Sequence, residues 1–467
     1  MPGAELPDLT TPRRIHVTNV GGAGMSAVAT LLAEMGHRVS GSDPAADTPF
    51  LARLRDLGVE VHAGGTRPAL PVDLDAVVTS TATPSDDPDV VAATAAGIPV
   101  VHRAAALAAL AAGRPTVAVA GTHGKTTTSA LLATVLAGSG RRPGFVVGAA
   151  IAGLGTGAAW GATGAPLVVE ADESDGTFLA LPAEVGIVTN VEPDHLDRWG
   201  DEAALRAGFE RFVAGLADAA VLCADDAGAA ALVPAARRPV TYGISTSADY
   251  RVTEVGAVAG GTRFVLVHGG ERVEVVVPSA PGLHNARNAA AALAAAHRLG
   301  VGLAEGAAAL AGFAGVARRF EHRGEAAGVT FVDDYAHLPT EVEAALAAAA
   351  GGSWSRVVCC FQPHRYSRTR ALAGAFADSF GHADLLCVTD VYAAGEAPLP
   401  GVSGKAVLDG VLDRHPRTAA AWLPDLDDVV DYLGRVLRPG DLCLTLGAGD
   451  LTTVPDRLLA VLGERGT

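Results

Sequence analysis

The sequence predicts an α/β protein of three domains, and three observations support this. The chain has 467 residues, which is room for about three domains of roughly 150 residues each. Short apolar strands alternate with helical segments along most of the chain, a pattern typical of parallel sheets covered by helices. Two of the strands run into a glycine-rich turn and a helix, which is where phosphate groups bind. We expect domains at residues 1–110, 111–314 and 315–467.

Composition argues against several classes of function. The net charge is −16 and no basic face is evident, so binding to nucleic acid is not expected. No apolar run reaches about 18 residues, so no membrane span is expected, and the first residues lack the apolar core of a signal peptide. The five cysteines are scattered without a CxxC pair, which predicts buried reduced thiols rather than disulfides or zinc. We therefore expect a cytoplasmic protein.

The first domain opens with the strand "RRIHVTNV" and the turn "GGAGMS". This turn resembles the dinucleotide fingerprint GxGxxG, with Asn19 in the first glycine position and Gly21 and Gly24 in the others. Asparagine tolerates left-handed backbone, so the turn is retained. Asp43 ends the next strand about 20 residues on, where a ribose hydroxyl would be bound. The pattern alone predicts a diphosphate at a helix start, and it does not say which nucleotide.

The second domain opens with "TVAVAGTHGKTTT", a strand followed by a phosphate loop of the short form GxxGKT. Gly121 and Gly124 let backbone N–H groups turn toward phosphate oxygens. Lys125, one of only two lysines in the chain, supplies a compact charge to the phosphates, and the Thr126 hydroxyl can bind Mg²⁺. An ordinary strand–helix turn is the alternative. The predicted nucleotide-binding stretch is Gly121, Thr122, His123, Gly124, Lys125, Thr126 and Thr127.

Two further motifs follow strands of the same domain. "LVVEADESDGTF" ends a strand at Glu170 and continues into a cluster of carboxylates, which is either a solvated loop or, beside a phosphate loop, a Mg²⁺ site. "IVTNVEPDHLDRWG" places Asn190 and His195 after another strand, at the end where sites of α/β proteins lie. Three alternating runs between Tyr250 and Pro278 predict an antiparallel meander attached to the parallel sheet.

Candidate side chains also occur where the third domain begins. "HNARNAAAA" puts Asn285 and Asn288 in the first turn of a helix, and helix capping by Asn285 is an equal alternative to ligand binding. Four strands are expected, "VTFVDD", "RVVCCFQ", "DLLCVTD" and "DLCLTLGAG". Arginines gathered at strand ends suit bidentate capture of a carboxylate or phosphate. The candidate residues at these strand ends, arginines and other polar side chains together, are Arg318, Arg319, Asp333, Asp334, Tyr335, His337, His364, Arg365, Arg368 and Arg370.

These motifs, in this order, resemble the Mur ligase family. The similarity runs through the whole chain: "GGAGMS", "GTHGKTTT", "EADESD", "TNVEPDHLD", "GLHNARN", "DDYAH", "QPHRYSRT" and "LGAGD". The resemblance implies a Rossmann-like domain for a UDP-linked substrate, a central P-loop ATPase domain with a mixed sheet, and a Rossmann-like domain for an amino acid. It implies that ATP phosphorylates the lactyl carboxylate of UDP-N-acetylmuramate, and that L-alanine then attacks the acyl phosphate.

The resemblance also implies roles for matching positions. Lys125, His195, Arg365 and His337 are expected to be catalytic. Thr126, Glu170 and His195 are expected to hold Mg²⁺, and ATP would further contact Asn190, Asn288, Arg319 and Asp334. The two substrates would contact Gly21, Gly22, Ala23, Gly24, Met25, Ser26, Asp43, Ser80, Arg103, Tyr335, His337, Arg365 and Arg368. A monomer or homodimer is expected.

Two departures and several alternatives accompany this interpretation. Asn19 replaces a glycine of the family pattern, and Leu338 stands where a second histidine is usual. The nearest alternative is a ligase that attaches a whole tripeptide to the same UDP-sugar, and "QPHRYSRT" favours the alanine-adding type. An NAD-dependent dehydrogenase, suggested by the first turn alone, leaves the second phosphate loop unexplained. A kinase that stops at the phosphorylated product and a non-catalytic nucleotide-binding regulator are the remaining alternatives.

Overall fold

The computed structural model describes residues 6–65 and 68–465 and confirms the α/β class. Its strands form three separate sheets of five, ten and six strands, as expected for three domains. The chain groups into two compact units, of which the first holds residues up to 254, 264–275 and 287–313. The second holds residues 255–263, 276–286 and those from 314 onward. The predicted boundaries after residues 110 and 314 stay predictions.

The first sheet and its helices lie within the first unit. They comprise β1 (Arg14–Thr18), α1 (Ala23–Glu34), β2 (Arg38–Asp43), α2 (Pro49–Asp56), β3 (Glu60–Ala63), β4 (Ala76–Thr79), α3 (Pro88–Ala95), β5 (Val100–His102) and α4 (Arg103–Ala111). The strands are parallel in the order β3-β2-β1-β4-β5. Strands β2 and β3 are added on one side of β1, and β4 and β5 on the other side. The strand order therefore switches between β1 and β4, which is where ligands bind in open α/β sheets.

The second sheet carries the predicted phosphate loop. Its elements are β6 (Thr116–Ala120), α5 (Lys125–Gly138), β7 (Gly144–Ile151), β8 (Thr156–Ala159), β9 (Leu167–Glu170), β10 (Val185–Val188), α6 (Leu196–Trp199), α7 (Glu202–Gly215), β11 (Ala219–Cys223), α8 (Ala227–Ala230), β12 (Pro239–Gly243), β13 (Tyr250–Val258), β14 (Gly261–His268), β15 (Glu271–Val277), α9 (Leu283–Arg298) and α10 (Leu303–Leu310). The order is β15-β14-β13-β12-β11-β10-β6-β9-β7-β8, with β7 and β8 antiparallel. The sheet is therefore mixed, as predicted.

The third sheet lies in the second unit. Its elements are β16 (Glu321–Ala326), β17 (Val329–Asp334), α11 (Pro339–Ala350), β18 (Arg356–Phe361), α12 (Tyr366–Leu372), β19 (Leu385–Val388), α13 (Lys405–Arg414), β20 (Ala420–Trp422), α14 (Leu426–Val436), β21 (Asp441–Leu446) and α15 (Val454–Arg465). The order is β16-β17-β21-β18-β19-β20, and only the edge strand β16 is antiparallel to its neighbour. Apolar side chains on the two sides of this sheet form two clusters, so it is covered on both faces, as parallel sheets are.

The helix α9 corrects one alternative. It begins at Leu283, so Asn285 lies inside its first turn and is not the capping residue. The Asn285 side chain instead donates a hydrogen bond from Nδ2 to the Pro281 carbonyl, 2.8 Å away. Six strands were also missed from the sequence, namely β7, β8, β11, β12, β16 and β20. Most of them are short or rich in glycine and alanine, and β16 is largely polar, so they give a weak alternation signal.

Membrane spans were not expected, and no helix in the ranges 6–65 and 68–465 is long and apolar enough to cross a bilayer.

The five cysteines give a first testable prediction. All are free and buried within β11, β18, β19 and β21, and burial raises the pKa of each thiol, that of Cys387 to about 12. Because a thiol reacts as its thiolate, a chromogenic disulfide reagent should modify no cysteine in the native protein and five in denaturant. Rapid reaction of any cysteine in the native protein would contradict this placement.

Candidate active site

The phosphate loop joins β6 to α5 with a backbone that requires glycine. Gly121 and Gly124 have φ angles of 128° and 78°, which side chains rarely allow. A Cβ atom on Gly121 would lie 2.0 Å from Thr189 Oγ1, and one on Gly124 would lie 2.9 Å from Asn288 Oδ1. Both glycines are thus fixed by conformation and by space. Asn288 lies directly beside the loop, and its contact with a nucleotide stays a prediction.

Residues after β10 hold the loop from behind. Asn190 Oδ1 accepts a hydrogen bond from the His123 backbone N–H at 2.8 Å, and Asn190 Nδ2 donates to the His123 carbonyl at 3.2 Å. The Thr122 backbone N–H donates to the Asn190 carbonyl at 3.1 Å. The structure therefore shows Asn190 fixing the shape of the loop, and its predicted contact with nucleotide would be additional to this.

Lys125 lies at the first position of α5, with its ammonium turned toward the carboxylate-rich segment after β9. Its Nζ is 2.9 and 2.8 Å from the two carboxylate oxygens of Glu173. Burial alone lowers the pKa of Lys125, but the carboxylates of Glu173 and Asp172 outweigh burial and raise that pKa. Lys125 is therefore a charged ammonium. Burial raises the pKa of Glu173 to about 7, although Lys125 opposes this shift.

Thr126 and Glu170, two predicted Mg²⁺ ligands, are in contact. The Thr126 hydroxyl donates to Glu170 Oε1 at 2.9 Å, and the Gly148 backbone N–H donates to Glu170 Oε2 at 2.6 Å. Magnesium takes one or two carboxylates together with phosphate oxygens and water, so a carboxylate beside a hydroxyl at the phosphate loop suits it. The third predicted ligand, His195, precedes α6 with a φ of 53° and has Nε2 3.3 Å from Asp194 Oδ2.

In the described part of the chain, no group of three or more His, Cys, Asp and Glu side chains is arranged to hold a metal ion. Because Mg²⁺ usually keeps several waters and binds substrate phosphates, Glu170 and Thr126 would suffice as an anchor.

The glycine turn of the first domain has the predicted shape. Asn19 has a φ of 49°, so asparagine does adopt the left-handed conformation here, and its carbonyl accepts the Gly22 N–H at 3.1 Å. Asp43 braces the turn, because Oδ2 accepts the Gly21 N–H at 2.7 Å and Oδ1 accepts the Ala45 N–H at 2.8 Å. A ribose contact by Asp43 would use its remaining lone pairs. Ser80 lies close by, with its hydroxyl 3.4 Å from that of Thr83, which also accepts from Asn19 Nδ2.

Arg103 connects this turn to the segment after β9. Its guanidinium packs on Gly24, where an added Cβ would meet Nη1, and it forms a short ion pair with Asp175. Both side chains are largely buried. The predicted substrate residue Arg103 therefore touches the turn that is expected to bind diphosphate. Asp175 is a contact that sequence reasoning missed, because ion-pair partners distant in sequence leave no local pattern.

Gly24→Ala should damage this region specifically. The added methyl group would displace the Arg103 guanidinium. A displacement of this size should lower kcat/KM for the UDP-linked substrate that the resemblance implies, by about 10- to 100-fold. The matched control is Gly215→Ala, because nothing lies within 4 Å of a Cβ added there. Steady-state kinetics with varied UDP-substrate would check this, and equal kinetics for the two variants would contradict the placement of Arg103.

In the second unit, the residues that are predicted to contact the amino-acid substrate lie at the ends of β17 and β18. The ring of His337 lies 5.4 Å from that of Tyr335 and 5.5 Å from that of His364. The guanidinium groups of Arg318 and Arg319 lie over the Tyr335 ring, 4.8 and 5.1 Å from its centre. The structure thus brings together cations, aromatic rings and imidazoles, which suit a ligand bearing a carboxylate.

Three features tune this cluster. Burial, followed by the neighbouring His337 and Arg368, lowers the pKa of His364 to about 3, so its imidazole is neutral. Arg365 has a φ of 66°, a strained conformation of the kind that concentrates at functional sites. Burial raises the pKa of Asp334 to about 6, against the effect of Arg319. Asp334 accepts the backbone N–H groups of Phe320 and Ala336 at 2.7 and 2.8 Å.

One member of the cluster was missed from the sequence. Tyr392 stacks on His364 with ring centres 5.8 Å apart, and its backbone pairs with Pro363 and Arg365. Tyr392 follows β19 at a strand end, and position at a strand end is the signal that could have identified it.

Comparison with known proteins agrees with this geometry. Family models match three consecutive parts of the chain: "Mur ligase family, catalytic domain" over residues 14–115, "Mur ligase middle domain" over residues 119–296, and "Mur ligase, glutamate ligase domain" over residues 318–449. A UDP-N-acetylmuramate–L-alanine ligase of Kineococcus radiotolerans is 48% identical, with 99% of each chain covered.

The chain belongs to the Mur ligase family.

Other members of the Mur ligase family extend the comparison. A UDP-N-acetylmuramate–L-alanine ligase of Thermobifida fusca is 43% identical, with 96% of this chain and 97% of the relative covered. The crystal structure of UDP-N-acetylmuramate-alanine ligase MurC from Thermotoga maritima matches with a TM-score of 0.80 at 29% identity, covering 96% of this chain and 98% of that one. The murein peptide ligase of Psychrobacter arcticus shares the fold, with a TM-score of 0.70 at 23% identity and coverage of 97% and 99%.

The departure at Leu338 from the Mur ligase pattern also has a physical reason. Leu338 is 5% exposed, so an apolar side chain suits the position, and only His337 of this pair can act on a ligand. Both backbone N–H groups, of His337 and Leu338, donate to Glu341 Oε2 at 3.0 and 3.2 Å. The local structure at the start of α11 is therefore kept without a second histidine.

Proposed function

We propose that this Mur ligase joins L-alanine to the lactyl carboxylate of UDP-N-acetylmuramate, with ATP as the energy source and an acyl phosphate as intermediate, in the synthesis of peptidoglycan precursors. The observation that carries the proposal is the 48% identity over the full length to an L-alanine ligase. The phosphate loop with its Lys125 ammonium and the cationic cluster around Tyr335 support it.

The first half-reaction activates a carboxylate, which is a poor acyl donor. Attack of the lactyl carboxylate oxygen on the γ-phosphorus of ATP forms the acyl phosphate and releases ADP. Transfer between two anions requires neutralisation of charge. Lys125 would supply this as a cation at the loop, and the backbone N–H groups at the start of α5 would add the positive end of the helix dipole.

Mg²⁺ would be held by Glu170 and Thr126, with His195 as the third proposed ligand, and when bound it would offset the charge of the phosphate oxygens. Glu170 is well placed for this because the Gly148 N–H fixes its second carboxylate oxygen. Asn190 keeps the loop in shape through the His123 backbone, and Asn288 is proposed to contact the nucleotide, as are Arg319 and Asp334 of the second unit.

The second half-reaction is attack by the amine of L-alanine on the acyl carbon, which forms the amide and releases phosphate. The amine must lose its extra proton first. His337 Nδ1 lies 3.1 Å from the Tyr335 carbonyl, and a hydrogen on Nδ1 makes Nε2 the acceptor of the ring. We assign the base role to His337, and binding of the alanine carboxylate to Arg365 and Arg368.

The UDP-linked substrate is assigned to the first domain. The turn of Gly21, Gly22, Ala23, Gly24, Met25 and Ser26 leads into α1, whose amino-terminal N–H groups attract a diphosphate. Arg103 adds a cation next to Gly24. Asp43 and Ser80 are assigned to the nucleoside and sugar parts. A cytoplasmic location and an active monomer or homodimer also form part of the proposal.

A product assay tests the proposal against its nearest alternative, addition of a whole tripeptide. Purified protein would be incubated with ATP, Mg²⁺ and UDP-N-acetylmuramate, together with either L-alanine or the tripeptide L-alanyl-γ-D-glutamyl-meso-diaminopimelate. Mass spectrometry should show the L-alanyl product in large excess. Preference for the tripeptide would instead establish the recycling type, whose fold the chain also resembles.

A further inference from the structure

The Lys125 ammonium is saturated by oxygens of the protein itself. An ammonium has three N–H donors, and four oxygens lie within 3.2 Å of Nζ: the carbonyls of Gly121 and Thr122 at 2.7 and 3.2 Å, and the two carboxylate oxygens of Glu173 at 2.9 and 2.8 Å. A phosphate can therefore bind Lys125 only by replacing some of these contacts.

Glu173 is the contact that matters most, because it is the charged one. Its side chain is only 2% exposed, and that of Lys125 is 13% exposed, so water screens the pair weakly. The carbonyls of Gly121 and Thr122 belong to the loop and carry no net charge. The Glu173 carboxylate thus occupies the anion position at Lys125 that a phosphate oxygen of ATP would take.

The backbone of Glu173 is held in place by neighbouring side and main chains. Trp199 Nε1 donates to the Glu173 carbonyl at 3.1 Å, and the Gly176 N–H donates to the same carbonyl at 3.2 Å. The Trp199 ring in turn packs edge-on against Phe178. The Glu173 backbone is therefore fixed beside the loop, so its carboxylate can move from Lys125 by no more than the length of its own side chain and would repel arriving phosphates at short range.

We propose that Glu173 is a positioning residue of the phosphate loop. Its carboxylate keeps the Lys125 ammonium in its observed position and competes with the phosphates of ATP for that ammonium. This rests on the proposed use of ATP. The consequence is that Glu173 weakens nucleotide binding while keeping a buried lysine charged and oriented. Removing its charge without changing its shape should make nucleotide bind more tightly, an effect that loss of a purely structural contact would not produce.

The direct test is calorimetric titration of Glu173→Gln with the magnesium complex of a non-hydrolysable ATP analogue, in buffer at least about one pH unit above the Glu173 pKa of about 7, so that the wild-type carboxylate is ionised. Removal of one short-range repulsion should tighten the Kd about tenfold relative to wild type. The matched control is Glu192→Gln. Its carboxylate borders the same loop, but its Oε2 contacts His123 Nε2 at 3.1 Å rather than Lys125. The Kd of the control should stay within about twofold of wild type.

Equal or weaker binding by Glu173→Gln would overturn the proposal, and so would equal tightening in both variants, since that would reflect only the loss of negative charge near the loop. These titrations need no ligase activity. The product assay can therefore fail, overturning the proposed substrates, while the nucleotide measurement still gives a clear result.

A second measurement avoids reliance on the variant folding. Lys125 and Lys405 are the only lysines, so lysine-selective ¹⁵N labelling gives two side-chain ammonium signals. Lys405 Nζ contacts Asp409 on α13 and is half-exposed, which makes it an internal reference. Adding the same ATP analogue to the wild-type protein should shift the Lys125 signal and leave that of Lys405 in place. An unchanged Lys125 signal at saturation would show that the ammonium keeps its contact with Glu173 when nucleotide is bound, and would contradict the proposal.

Discussion

Lys125→Ala should reduce kcat for ligation roughly 1000-fold, the upper range for loss of one electrostatic group at a reacting centre. This corresponds to about 4 kcal/mol of transition-state stabilisation. The reason is that the ammonium is the only lysine charge of the central domain and lies at the helix start where phosphates are expected. The measurement is the rate of ADP release in the complete reaction mixture.

Lys405→Ala is the matched control for this prediction. It removes the other lysine of the chain, which pairs with Asp409 one helical turn away on the surface, and such exposed pairs contribute little. Its rate should equal that of wild type. If Lys125→Ala kept more than about a tenth of the wild-type kcat, a catalytic role for the loop lysine could not be maintained.

Glu170→Gln should show the second large effect. The substitution keeps the size of the side chain and removes the charge that would bind Mg²⁺ beside Thr126. We expect kcat to fall by about 100-fold. Loss of a residue that only supports a metal ligand typically weakens metal binding roughly 10- to 100-fold. Because Glu170 is proposed to bind Mg²⁺ directly, the Mg²⁺ concentration for half-maximal rate should rise by at least about this factor.

A Mg²⁺ titration of the ligation rate would check this result, with Glu254→Gln as control. Glu254 on β13 pairs with Arg272 on β15, and both side chains are more than half exposed, so its variant should follow the wild-type Mg²⁺ curve. A Glu170→Gln enzyme with a lower rate but an unchanged Mg²⁺ requirement would argue that Glu170 supports the loop and does not bind metal.

The phosphate loop was predictable because its physics is local. Gly121 and Gly124 are spaced for one tight turn between a strand and a helix, and both have positive φ angles in the structure. The conformation of Asn19 was equally predictable. Because asparagine tolerates left-handed backbone, the first turn was expected to keep its shape without the glycine, and Asn19 has a positive φ angle in the structure. The three sheets also followed from strand–helix alternation.

Contacts between distant segments could not be predicted in this way. The pairing of Lys125 with Glu173 and of Arg103 with Asp175 depends on how the segment after β9 folds back, and no sequence period records that. Asn285 is a case in which a local rule was wrong. Its position in the sequence suggested a helix cap, but the helix begins at Leu283, two residues before Asn285. Local rules therefore located the motifs, and tertiary packing decided their partners.

The central claim is that the chain couples ATP cleavage to amide formation with L-alanine, and one measurement tests it most directly. ADP release would be followed with UDP-N-acetylmuramate and Mg²⁺·ATP, with and without L-alanine. We predict sustained ADP release only when L-alanine is present, with one L-alanyl product per ADP. Sustained ADP release independent of L-alanine, or none with it, would contradict the account.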